Sequence, residues 1–254
     1  MKTFLLVCFL TITLALYTES ISTEDTKLTI LYICNLEGQF EFDKEGRKGL
    51  STLMELKRME IEKNFTKKGK VFLISAGNFF SKDLTLKNFE ILSKTFFDAI
   101  ILSDEEISFL ETNPKLVNQY PYFLSYRDNL ISLDTEKIFE VENLNIKLTT
   151  YLVNKLPYEE KKHIHLNLVF PSPESELNLN EIHPKIPVIF FLKPEQTTAF
   201  SYKKNVYTAE CPNSIEKVGK LTLTYRKQKL IRQIQEFIPL NTKDNNQTWI
   251  YPYP

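Results

Sequence analysis

Apolar positions in the first hundred residues alternate between two rhythms. Residues 27–34 (KLTILYIC) form a dense run of aliphatic, β-branched and aromatic side chains, which predicts a buried strand, and the run stops at the polar turn 35–38. From 49 to 61, Leu50, Leu53, Met54, Leu56, Met59 and Ile61 fall on helical spacing with charges between them, which predicts an amphipathic helix. A second strand is expected over 71–75 (VFLIS), ending at Ala76-Gly77-Asn78. A helix over 86–97 and a third strand over 99–102 follow, the latter ended by the polar run Ser103-Asp104-Glu105-Glu106.

This β-α-β-α-β order implies parallel strands with helices packed on the sheet, and it gathers polar loops at the strands' C-terminal ends, where open α/β sheets build their sites. The second half reads as strand-rich: 122–125, 138–141, 145–153, 164–170, 188–192, 205–208 and 220–225. Asn143, between two of these runs, marks a hairpin turn.

The chain's first residues have a rhythm of their own. Lys2 is followed by an apolar run over 4–16 and a polar, small-residue stretch over 18–22, the pattern of a signal peptide. The run is shorter than the roughly 20 residues a membrane-spanning helix needs, and Cys8 lies inside it rather than at a lipidation position. The expected organisation is a signal peptide over 1–22, one domain over 23–240 and a polar, then aromatic and proline-bearing tail over 241–254. The expected destination is a secreted, periplasmic or extracellular one.

Composition narrows the partners. The 254 residues are 43% apolar and 25% charged, enough for a full core, and 32 basic side chains balance 32 acidic ones. That balance argues against a general nucleic-acid or anionic-membrane surface, and no later segment approaches a transmembrane span. An unidentified protein or a small phosphorylated ligand remains. Beyond the signal only Cys34 and Cys211 are left, and two thiols in an oxidising compartment either pair or stay buried. There is no Gly-rich phosphate loop, no Gly-x-Ser-x-Gly elbow and no Cys-x-x-Cys. Asn64-Phe65-Thr66 and Asn246-Gln247-Thr248 fit the N-glycosylation pattern. His163 and His165 stand at period two, as on one face of a strand, and His183 precedes Pro184.

The strand-end loops, taken in order, resemble those of the calcineurin-like metallophosphoesterase domain of secreted 5′-nucleotidases. That family's Asp-x-His-Gly loop is matched by Asn35-Leu36-Glu37-Gly38, its Gly-Gly-Leu-x-x-Leu helix start by residues 48–53, and its Ala-Gly-Asp-Asn-Phe loop by Ala76-Gly77-Asn78-Phe79-Phe80. Its Gly-Asn-His-Glu loop is matched by Ser103-Asp104-Glu105-Glu106. The later His loops fall near 170–172 and 192–195, and Val218-Gly219-Lys220-Leu221 resembles the last strand. The resemblance implies an α/β fold, a metallophosphoesterase-like β-sandwich of mixed sheets flanked by helices, with the family's C-terminal nucleotidase domain absent.

The same resemblance implies lost chemistry. Two-metal phosphoesterases hold two cations close together with carboxylates and imidazoles, so that a metal-bound water attacks phosphorus. The matched positions here read Asn35, Glu37, Asn78, Asp104, Glu105, Lys193 and Glu195, and no matched position keeps a histidine. A neutral Asn78 in place of the bridging carboxylate and a cationic Lys193 both oppose paired cations. Glu37, Asp104, Glu105 and Glu106 remain as hard oxygen donors, so the expected cofactor is none, or one Mg²⁺, Ca²⁺ or Mn²⁺. The leading expectation is a catalytically inactive module. The alternatives are a metal-dependent phosphoesterase or nucleotidase with an atypical site on Glu37, Asp104 and Glu105, and a pocket that binds phosphate through Lys193 and Asn78. The family's geometry also brings Cys34 and Cys211 to one edge, where a disulfide or two buried thiols would fit.

Overall fold

The structure is a computed structural model and describes residues 25–34, 36, 38, 50–64, 69–80, 84–86, 89, 96–120, 122–125, 133–150, 164–171, 186–192, 205–212 and 217–240. Residues 1–22 and the tail over 241–254 lie outside these, as does most of the helix expected over 86–97.

β1 (Thr26–Cys34) sits at the heart of a six-stranded sheet. It pairs in parallel with β2 (Gly69–Ala76), which continues in parallel to β3 (Ala99–Ile101) and β4 (Phe123–Leu124). On its other side it pairs antiparallel with β10 (Lys217–Arg226), and β10 pairs antiparallel with β11 (Lys229–Pro239) at the edge. The second sheet runs β5 (Glu136–Val141), β6 (Leu144–Thr149), β7 (Leu166–Val169), β8 (Val188–Leu192) and β9 (Val206–Glu210). Its first pair is antiparallel and the rest are parallel.

Period-two alternation explains how the sheets stack. Leu28, Ile30, Tyr32 and Cys34 point into a core shared with Ile146, Leu148, Leu166, Leu168, Ile189 and Phe191 of the second sheet. Leu31 and Ile33 point the other way, into a second core with helix α1 (Leu50–Asn64) and helix α2 (Asp104–Thr112). Leu50, Leu53 and Leu56 seat α1 on the sheet, while Arg58 on its outer face pairs with Glu55 at 2.6 Å and Glu62 at 2.5 Å. The resulting β-sandwich of two mixed sheets flanked by helices is the fold class read from the sequence.

Two elements differ from that reading. The polar run 103–106 is not only a loop: Ser103 is the N-cap of α2, with Ser103 Oγ accepting the Glu106 N–H and Glu106 accepting the Ser103 N–H. β11 is also new. It follows β10 through a turn at Lys227 and Gln228, both with positive φ (47° and 63°), the conformation of a two-residue hairpin. The other hairpin, β5 to β6, turns at Glu142 and Asn143, and Glu142 rather than the asparagine takes the positive φ of 54°. His165 lies before β7 rather than on it, and its Nδ1 accepts the Asn145 N–H at 3.0 Å; His163 and His183 are outside the described residues.

Candidate functional site

Parallel strands deliver their C-terminal ends to one edge of each sheet, and both edges coincide. Cys34, the last residue of β1, is disulfide-bonded to Cys211, just past β9, with Cα atoms 6.0 Å apart. At the far end of the same edge, Thr150 Oγ1, just past β6, donates to Ser125 O, just past β4, at 2.5 Å. The sandwich is thus fastened at two points along the rim where the resemblance places its site.

Within the first sheet the rim loops are tied to one another. The Gly38 N–H donates to Phe79 O at 3.0 Å, joining the loop after β1 to the loop after β2. Gly77 N–H donates to Ile101 O at 2.9 Å, joining the β2 loop to the end of β3. Gly38 and Gly77 have φ of 70° and 68°, which explains glycine at both turns. Asn78 follows with φ 42°, a left-handed residue of the kind asparagine tolerates, and it is an exposed residue of the rim.

Glu106 completes the frame. It is 2% exposed, and its two carboxylate oxygens accept the main-chain N–H groups of Phe80 at 2.6 Å and Ser103 at 2.7 Å. Burial pushes its carboxyl above the ordinary carboxylate range, against the opposing pull of backbone N–H groups of Phe80 and Ser103. Read from sequence as one of four oxygen donors, Glu106 instead joins two loops and caps α2. Its signal is the Ser-x-x-Glu spacing of 103–106, a capping box.

The remaining site residues divide between described and undescribed positions. Asp104 is half-buried in the first turn of α2 and Glu105 is exposed beside it. Asn64 ends α1 and its side-chain amide donates to Glu60 O at 2.8 Å. Asn35, Glu37, Lys193, Glu195 and Asn246 lie outside the described residues.

The described donor set does not fit a two-metal centre. Asn78 offers an amide where a bridging carboxylate is needed, both Glu106 oxygens are committed to main-chain donors, and among the described residues no three His, Cys, Asp or Glu side chains group around a metal-sized point. Rim geometry of this kind positions the loops after β2 and β3 relative to each other.

No protein-family model and no curated protein matches the sequence. Solved structures do match. The 5′-nucleotidase of Candida albicans is similar with a TM-score of 0.61 at 11% identity, over 85% of this chain and 51% of that one. The NAD nucleotidase NadN of Haemophilus influenzae gives 0.57 at 14% identity, over 85% and 51%. The calcineurin-like phosphoesterase YfkN of Bacillus subtilis gives 0.58 at 10% identity, over 85% of this chain and 91% of that one. The chain spans about half the length of the two nucleotidases. Its fold is that of the calcineurin-like phosphoesterases.

Proposed function

We propose that this chain is an exported, catalytically inactive phosphoesterase-like domain, a binding or structural module on the fold shared with 5′-nucleotidases. Fold alone does not bring activity with it, so the reading rests on the site. The observation that carries it is Asn78: the tightly held loop after β2 presents a neutral amide on the rim at the position matched to a bridging aspartate. Without that negative charge, mutual repulsion between two divalent cations a few ångströms apart is uncompensated. Asn35 and Lys193 at matched ligand positions work in the same direction.

Export is supported by the apolar run over 4–16 with its polar border over 18–22, and the mature unit starts near residue 23. A loop frame kept rigid by Glu106 and the Cys34–Cys211 bond suits a surface that must hold its shape for a partner, either a protein or a small phosphorylated ligand. No metal is part of this reading.

The test is turnover. Purified mature protein is assayed against nucleoside monophosphates, NAD and a generic phosphate ester with excess Mn²⁺, Mg²⁺, Ca²⁺ and Zn²⁺. The reading expects no release of phosphate above the buffer rate. Metal-dependent turnover abolished by Glu37→Ala or Asp104→Ala would instead establish the atypical single-metal site.

A further inference from the structure

β11 forms the outer edge of the six-stranded sheet, 11 residues long and free of proline until its last position, Pro239. Among the described residues its main chain pairs only with β10. An edge of that length is a template for another strand unless it is guarded, and the guard here is slight: one bulge beside Tyr225, near the start of β11. Two large apolar side chains stand out along it, Ile231 at 48% and Phe237 at 38% exposure.

The sequence of β11 is complementary to itself about Ile234. If two copies of this strand lie antiparallel with their Ile234 residues opposite each other, Arg232 falls opposite Glu236 of the second copy and Gln233 opposite Gln235, while Ile231, the extra residue of the bulge, lies outside this register. Two-fold symmetry makes each pairing occur twice. Arg232, Ile234 and Glu236 pair with Thr224, Thr222 and Lys220 of β10, so the opposed charges share one face of the sheet, the face that carries α1. Gln233 and Gln235 face the other way and are already engaged, their amides donating to Thr208 O at 3.1 Å and Glu210 O at 2.9 Å. Neighbouring registers lose the match: centring the pair on Gln233 sets Arg232 opposite Ile234, and centring it on Gln235 sets Arg232 opposite Ile238.

From this charge complementarity, along an edge that among the described residues only β10 pairs with, we infer that the partner of β11 is β11 of a second copy of this chain, forming a continuous sheet across a two-fold axis through Ile234. Glu236 pairs at 3.6 Å with Lys220, which Glu60 also holds at 3.0 Å, and its side chain is 38% exposed, so a second cation from the partner can approach it. An edge-to-edge contact is small beside the roughly 1,200 Å² at the lower limit of stable interfaces, so self-association is concentration-dependent rather than obligate.

Sedimentation velocity of the full mature chain over a concentration series tests this. The expected result is a reversible shift from monomer to twice the monomer mass, lost in Arg232→Glu and in Glu236→Arg and restored in the double variant that exchanges the two charges. A chain that is monomeric at every concentration, a dimer indifferent to Arg232→Glu, or a natively folded double variant that fails to recover the dimer would each overturn the inference.

Discussion

The Phe80 main-chain N–H donates to Glu106 Oε1 at 2.6 Å, from a loop 26 residues earlier in the chain, while the other oxygen of the same carboxylate holds the N-cap of α2. One buried acid therefore fixes the relative position of the loops after β2 and β3. Glu106→Gln turns one acceptor into a donor facing an N–H, and the orphaned donor costs about 1 to 3 kcal/mol. Urea unfolding of the two proteins measures it. An unchanged midpoint would mean that the loops are held by other contacts.

Acid stability depends on Glu60 of α1. It is 2% exposed and receives Lys63 and Lys220 Nζ, each at 3.0 Å. Burial by itself raises its carboxyl, but the two lysines together outweigh that and leave it below the ordinary value of 4.5. A depressed folded value means that the stabilisation is full above pH 4.5 and disappears as pH falls through the folded value. Glu106, raised by burial, has the opposite sign: its contribution is greatest below the unfolded value and declines as pH rises through the folded one. Glu60→Gln should flatten the acid limb of a stability–pH profile, and Glu106→Gln should remove the decline on its higher side. Thermal melts over a pH series that runs from below to well above the ordinary glutamate value of 4.5 follow both limbs.

The Cys34–Cys211 bond closes a loop of 177 residues in sequence between the two sheets. Reduction, or Cys34→Ser, should lower stability by about 2 to 5 kcal/mol. Comparing melting with and without a strong reductant tests this, and the Cys34→Ser/Cys211→Ser protein should be indifferent to the reductant.

Gly219 of β10 lies against the ring of Tyr32, and a Cβ there would stand 2.1 Å from Tyr32 Cζ. The same tyrosine donates its hydroxyl to Glu210 O at 2.7 Å and accepts the Gln235 amide at 2.7 Å, tying β1, β9 and β11 together. Gly219→Ala forces the ring aside and should cost about 1 to 3 kcal/mol, more if the hydroxyl loses both partners. Restoring space with the additional change Tyr32→Ala should not make matters additive, and a double-mutant cycle reads that coupling directly.

Much of this architecture is legible in the chain. β1, β2 and β8 are apolar runs buried on both faces, and such runs stand out from their polar boundaries. β11 is not legible, because Leu230, Ile231, Ile234, Phe237 and Ile238 fall at helical rather than alternating spacing, and its turn uses Lys227 and Gln228 instead of glycine or asparagine. α2 is hidden for another reason: Ser103 to Glu106 is at once a matched ligand loop and a capping box, and only the second role is visible in the hydrogen bonds. The rim residues split similarly. Asn78 lies on the loop after β2 and Asp104 opens the helix after β3, whereas a side chain's partners, such as those of Glu106, depend on contacts between segments that no local pattern encodes.

The most direct measurement is the metal content of the mature protein after incubation with Mn²⁺, Zn²⁺, Mg²⁺ and Ca²⁺ and removal of unbound ions by gel filtration. Far less than one metal per chain is expected under every condition, with Asn78→Asp alone insufficient to bring two. Two equivalents of a transition metal retained by the natural sequence would contradict that expectation.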